Sequence, residues 1–299
     1  MGYVISVTNQ KGGVGKTLTA TSLASILTTK GYKILSIDMD PQCNFDQVAG
    51  GPGPIKQYDL KSLSILDVLR QECSIEDAIV QTNIGDLVRA TPNLSQWTGR
   101  SLLSRHDFKK LMDQGASNED IVALLKDRYQ TGWGATEHKT LDWMLRDVRN
   151  KYDFIFLDTN PSLTLLTLNS LYTADYIVIP AFTEETSRKA IIELKDTIDQ
   201  LKIENADMHA EILGILITKF KRRTNIATAY LLQYRKLASK IGTSLFDTKI
   251  REGLPAIEYS NHKKDLIRYA PKHQMTQDYQ DFADEFLQRI HEKEMISHG

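Results

Sequence analysis

The stretch from Gln10 to Thr17 constrains this chain more than any other feature. A β-branched apolar run at Tyr3 to Thr8 leads into Gln10-Lys11-Gly12-Gly13-Val14-Gly15-Lys16-Thr17, and a helical pattern follows at once over Thr17 to Lys30. Three glycines let the backbone wrap closely and turn its N–H groups inward, while the helix start adds partial positive charge where they point. A strand, loop and helix in this order cradle phosphate: Lys16 would reach the β- and γ-phosphates, and the Thr17 hydroxyl would ligate Mg2+. Lys11, Gly12, Gly13, Val14, Gly15, Lys16 and Thr17 are therefore the candidate nucleotide-binding residues, with ATP and Mg2+ as the expected cofactors.

The rest of the chain keeps the same rhythm. Further strands are expected at Lys33 to Asp38, Leu87 to Ala90, Phe154 to Leu157, Tyr176 to Ile179, Ile212 to Thr218 and Ser244 to Phe246. Helical patterns lie between them, notably Ser162 to Leu171, Glu184 to Ile203 and Asn225 to Ile241. This alternation predicts an α/β fold, a mostly parallel doubly wound sheet flanked by helices. The runs at Phe154 to Leu157 and Ile212 to Ile217 are apolar without alternation, which predicts central strands covered on both faces. A last amphipathic helix, about Thr276 to Glu292, sets Tyr279, Phe282, Phe286 and Ile290 at 3/4 spacing to pack on the core. Residues 99–138 fit poorly, with a polar stretch, one amphipathic helix near Asn118 to Tyr129 and a Gly-Trp-Gly turn at Gly132 to Gly134. They read as an insertion on one domain spanning 1–299.

With 299 residues and 41% hydrophobic side chains the chain can bury a substantial core. Its formal net charge is -1, so affinity for nucleic acid has to come from a local patch. Cys43 and Cys73 form no CxxC and stand near no His cluster, which argues against a disulfide scaffold or a structural zinc and fits a reducing cytoplasm. The opening Met-Gly-Tyr-Val-Ile-Ser matches a myristoylation pattern but runs straight into the first strand. No apolar run reaches the ~18 residues of a membrane span, so a cytoplasmic protein without a membrane partner is expected.

Acidic residues close two of the strands. In Ile37-Asp38-Met39-Asp40-Pro41-Gln42 the two aspartates stand at i and i+2, on one side of the carboxyl end, where open α/β sheets bind ligands. Carboxylates so close repel each other unless a cation or charged substrate offsets them. Phe154-Ile155-Phe156-Leu157-Asp158 has the Walker B pattern, in which Asp158 would hold Mg2+ through water.

The usual phosphate loop begins with glycine, where this chain has Gln10, and a second lysine, Lys11, follows. Lys-Gly-Gly-Val-Gly-Lys-Thr is the deviant Walker A motif, and with it the chain resembles the ParA/MinD/nitrogenase iron protein class, above all the ParA/Soj partitioning ATPases. The resemblance implies that Lys11 crosses a dimer interface to the partner's ATP, that Asp40 positions the attacking water, and that Asp38 supports the Mg2+ site. It thereby implies Lys11, Lys16 and Asp40 as catalytic residues and Thr17, Asp38 and Asp158 as the metal set. Pro161-Ser162-Leu163, Leu168 to Leu171, Ser74 to Ile79, Ala90 to Leu94 and Gly214 to Thr218 are family-like too. At Thr159-Asn160-Pro161 one of the two prolines usual in the family is missing.

From Ile212 to Phe246 there is no acidic residue and seven basic ones: Lys219, Lys221, Arg222, Arg223, Arg235, Lys236 and Lys240. Such a region attracts phosphate backbones without reading sequence. Arg223-Thr224-Asn225 resembles the R-T-N of ParA proteins, which implicates the arginine in nonspecific DNA binding. Lys219, Lys221, Arg222, Arg223, Lys236 and Lys240 are thus the candidate DNA contacts. The family implies an ATP-dependent homodimer, nucleoid association and a ParB-like partner that stimulates hydrolysis. A MinD-like role is the alternative, but a membrane-binding tail needs a basic polar face, and Asp281, Asp284, Glu285, Glu292 and Glu294 make this one acidic. Two scattered cysteines do not supply a cluster site like that of the nitrogenase iron protein. A GTPase would show Asn-Lys-x-Asp, which Thr218-Lys219-Phe220-Lys221 lacks. The chain starts at its first strand, so an operator-reading domain ahead of it is not expected.

Overall fold

The computed structural model describes residues 2–50, 62–97, 137–221 and 225–297. Within them eight strands form one sheet: β1 (Tyr3–Val7), β2 (Ile34–Met39), β3 (Ile79–Thr82), β4 (Gly85–Val88), β5 (Phe154–Thr159), β6 (Tyr176–Ala181), β7 (Glu211–Phe220) and β8 (Leu245–Arg251). Their spatial order is β3-β4-β2-β5-β1-β6-β7-β8, and every neighbouring pair is parallel except β3 with β4. The mostly parallel α/β architecture expected from the sequence is therefore present.

Helices cover both faces. They are α1 (Lys16–Thr29), α2 (Asn44–Ala49), α3 (Ile65–Leu69), α4 (Thr140–Leu145), α5 (Leu165–Thr173), α6 (Glu185–Glu204), α7 (Asn225–Lys240), α8 (Pro255–Glu258), α9 (Leu266–Tyr269) and α10 (Gln274–Ser297). Alternate residues of one strand feed different cores, as the period of two requires. Phe154 and Phe156 of β5 join α1 and α10 on one face, while Ile155 and Leu157 join α3 and α4 on the other. Tyr279, Phe282, Phe286 and Ile290 of α10 are all buried in the first of these cores, as their spacing predicts.

Two expectations are corrected. β7 is not central; it lies next to the edge strand β8. Its unbroken apolar run reflects cover on both faces, since Leu213 and Leu216 belong to the α10 side and Ile215 and Ile217 to the side of α5, α6 and α7. The sheet also carries an antiparallel edge strand, β3, which the sequence pattern did not separate from the acidic turn Glu76–Ala78 before it. It pairs Thr82 with Gly85 around a tight turn in which Gly85 has φ 103, a conformation side chains seldom adopt. The expected insertion at 99–138 lies almost wholly outside the described residues, its helix near Asn118 to Tyr129 included. Among the described residues no helix is long and apolar enough to cross a membrane.

Candidate nucleotide site

The phosphate loop leaves β1 and enters α1 at the carboxyl edge of the sheet. Gly13 and Gly15 adopt φ 74 and 86, the left-handed region that a side chain would strain. An added Cβ would touch nothing closer than 4.0 Å at either position, so conformation and not crowding demands glycine there. Neighbouring strands then fix the loop. The Thr218 hydroxyl at the end of β7 donates to the Val14 carbonyl at 2.8 Å, and the Asn9 amide, buried beside β6, donates to Pro180 O at 2.8 Å. Asn9 Oδ1 in turn accepts from Lys11 N–H at 2.9 Å.

Lys16 is buried, and its ammonium donates to the carbonyls of Asn9 and Lys11 at 3.1 and 3.3 Å. Burial lowers its pKa, and the charges of Asp158 and Asp40 act against that shift. Above the loop opens a cavity of about 410 Å3, lined by Gly12 to Leu18 and Asp40 and, from β8, α8 and α10 and the chain flanking α8, by Ile250, Arg251, Glu252, Ala256, Ile257, Tyr259, Met275 and Tyr279. A lining that combines loop amides with apolar and aromatic side chains suits a triphosphate attached to a flat base.

The carboxylates divide into two levels. Asp40, just past the end of β2, lines the cavity, and its carboxylate accepts from Gln42 N–H at 2.9 Å. Asp38 and Asp158 lie beneath it, fully buried and directly opposite each other on β2 and β5. Asp38 accepts from the backbone N–H groups of Asp40 at 3.0 Å and Phe45 at 3.3 Å, so it shapes the turn that presents Asp40. Among the described residues neither oxygen of Asp158 has a hydrogen bond of good geometry, although the Thr17 hydroxyl stands close enough to lower its pKa. Burial, followed by the charge of Asp158, pushes the Asp38 pKa well up; burial does the same for Asp158, against the pull of Thr17 and Lys16.

A buried carboxylate without a hydrogen bond of good geometry asks for a cation. No group of three or more His, Cys, Asp or Glu among the described residues could cage one. A buried carboxylate beside the phosphate loop fits Mg2+, which keeps several waters and takes one or two protein groups plus phosphate oxygens. Thr17 lines the cavity, and Asp158 is buried at the end of the neighbouring β5.

Lys11 does not enter its own cavity. Its ammonium donates to Thr186 Oγ1 at 2.9 Å and pairs with Glu184 Oε1 at 3.2 Å, at the start of α6. Glu184 and Thr186 were not among the sequence candidates, because nothing in a run of acidic and hydroxyl residues at a helix start marks a partner for the loop. The apolar walls of the cavity were missed as well, since their residues come from β8, α8 and α10 and share no motif.

The described basic candidates lie on two stretches, Lys219 and Lys221 at the end of β7 and just past it, Lys236 and Lys240 on α7. Lys219 lines the cavity and lies over the Phe182 ring at 4.5 Å, while Lys221 pairs with Glu252 of the cavity wall at 3.1 Å. Lys236 and Lys240 are exposed toward the far end of α7, with Arg235 beside them. Arg222 and Arg223 lie outside the described residues.

Comparison with known proteins bears on the family and the fold. The family model described as an AAA domain, AAA_31, matches residues 2–210. The chromosome partitioning protein ParA of Myxococcus xanthus is 32% identical over 97% of this chain and 89% of its own. The sporulation initiation inhibitor protein Soj of Bacillus subtilis is 29% identical over 95% of this chain and 98% of its own. Among solved structures, apo McdA superposes with a TM-score of 0.72 at 18% identity, covering 96% of this chain and all of that one. Cobyrinic acid a,c-diamide synthase from Mycobacterium smegmatis, with an ATP analog and magnesium, does so with a TM-score of 0.68 at 24% identity, covering 95% and 93%. Those two likenesses concern the fold; the family model and the sequence relatives place the chain in the ParA/Soj family of P-loop ATPases.

Proposed function

We propose that this chain is an ATP-driven DNA-partitioning switch. ATP and Mg2+ occupy the cavity, two chains close on the nucleotides, the dimer holds DNA without reading sequence, and a ParB-like partner on the cargo triggers slow hydrolysis and release. The observation that carries the reading is the position of Lys11. Its ammonium stands outside its own cavity, about a third exposed, in a pair with the half-exposed Glu184. Pairs this exposed contribute little, so a triphosphate presented by a second chain is a stronger partner for Lys11 than Glu184 is.

Within one chain the residues divide the work. The loop amides and Lys16 bind the phosphates and offset their charge. Mg2+, when bound, would neutralise the charge that develops between the β- and γ-phosphates. Asp40 orients a water toward the γ-phosphate from its place on the cavity wall. Asp38 positions Asp40 through the backbone bond it accepts. The apolar walls receive the base, with Tyr259 and Tyr279 among them.

An anisotropy titration of labelled duplex DNA with ADP and with ATP, beside an ATPase assay with and without DNA, tests this reading. Binding that appears only with ATP and weakens steeply with salt is the expected result. Binding that ignores the nucleotide, or none at all, would favour a protein-positioning output like that of a MinD-type ATPase.

A further inference from the structure

A second cavity opens at the amino-terminal edge of the sheet, opposite the edge that carries the phosphate loop. Gly2 and Tyr3 at the start of β1, Tyr32 ahead of β2, Asn150 and Tyr152 to Phe154 at the start of β5 and the C-terminal half of α10 enclose about 540 Å3. A volume of this size suits a whole small molecule. The cavity shares no lining residue with the nucleotide site.

Its lining is aromatic and acidic. Tyr3, Tyr32, Tyr152 and Phe154 form the aromatic part, and they are fixed to one another and to the fold. The rings of Tyr32 and Phe154 meet edge to face at 5.5 Å, Tyr3 lies against Phe154 at 6.2 Å, and the Tyr152 hydroxyl donates to Asp86 at 2.7 Å. Rings already held in place offer their negative faces to a cation at little further cost in ordering. Asp153 and Glu294 supply the charge, and among the described residues no lysine or arginine lines the cavity. Asp153 accepts from the Lys33 N–H at 2.7 Å and makes no ion pair among the described residues. Glu294 is held in position by the Tyr3 hydroxyl at 2.8 Å and the His291 ring at 3.3 Å. Acids among aromatic rings repel phosphate, so this site differs in kind from the nucleotide cavity and is complementary to an organic cation.

We propose that this cavity binds a small organic cation of the alkylammonium or alkylguanidinium class. Asp153 and Glu294 meet its positive charge, and its alkyl part lies against the tyrosine rings and against Leu287 and Ile290 of α10. The volume is that of a whole ligand and not of one side chain, so a free compound is favoured over a basic residue of a protein partner. The inference does not depend on the DNA-binding output proposed above.

Calorimetric titration of the full chain with spermidine, with agmatine and with uncharged 1,4-butanediol tests the proposal. At least one of the two cations should saturate a single site per chain, and butanediol should not bind. Asp153→Asn and Glu294→Gln keep an acceptor for the Lys33 N–H and the Tyr3 hydroxyl and remove only the charge, so each should weaken the cation about tenfold. Gln288→Arg, at an exposed position of the lining, tethers a guanidinium at the cavity and should abolish binding. ATP affinity and melting temperature should stay as in the parent in all three variants. No saturable binding of either cation, or butanediol bound as tightly as they are, would overturn the proposal. Variants that bind the cation like the parent would overturn it too, because the cation would then sit elsewhere. An arginine-rich peptide that binds the parent and not Gln288→Arg, while neither free cation binds, would overturn the assignment to a free compound.

Discussion

Asp158 sits fully buried opposite the equally buried Asp38, and among the described residues neither of its oxygens has a hydrogen bond of good geometry. Burial raises both pKa values, so the nucleotide-free fold favours the neutral forms. A raised carboxyl pKa contributes stability that is complete below the ordinary carboxylate range and is lost as pH climbs through the raised value. The nucleotide-free parent should therefore melt lower as pH rises between about 5 and 8. Asp158→Asn should flatten that dependence and melt higher by a few degrees near pH 8, at roughly 2–4 °C per kcal/mol for a domain of this order of size. Scanning calorimetry across that range checks it, and a variant less stable at the upper end would contradict it. At the loop, Lys16→Ala removes the cation facing the phosphates and should abolish measurable ATP binding by calorimetric titration; normal affinity would remove Lys16 from the site. These residues were legible because the loop spells out its chemistry in consecutive positions. Lys11's resting partners and the base-side walls were not, because they meet only in three dimensions.

Strands β1, β2, β5, β6 and β7 were readable as apolar runs because helices cover both their faces. β3 was not, since an edge strand of four residues that are half-buried or exposed has too little apolar pattern to stand out. Its turn nevertheless sets a strict condition. A Cβ on Gly85 would come within 2.8 Å of Ile34 O, at φ 103. Gly85→Ala should then destabilise the fold by roughly 1–3 kcal/mol in urea unfolding while leaving ATP affinity unchanged, because this edge does not line the cavity. Thr218→Val removes the hydroxyl that holds the Val14 carbonyl and should show the complementary effect. A stability loss of about 1 kcal/mol should come with weaker ATP binding, because the phosphate loop is no longer tethered to β7. Equal ATP affinity in parent and Thr218→Val would show that the loop holds its shape without β7.

At the scale of the whole molecule, the nucleotide cavity and a Lys11 that lies outside it support the proposal that ATP joins two chains. The sequence made the phosphate loop and the family visible, but not that Lys219 lines the cavity and Lys221 pairs with Glu252 of its wall, while Lys236 and Lys240 lie along α7. Helix α7 spans 16 residues, about 24 Å, and Lys236 and Lys240 both lie near its C-terminal end. Sedimentation velocity of Asp40→Ala, alone and combined with Lys11→Ala, tests the central claim most directly. With ATP, Asp40→Ala should sediment at twice the mass of one chain, because it binds nucleotide and fails only to orient water. The double variant should bind ATP yet stay at the mass of one chain, as both do with ADP. A single-chain mass for Asp40→Ala at saturating ATP, or a dimer that forms as readily without Lys11, would contradict the account.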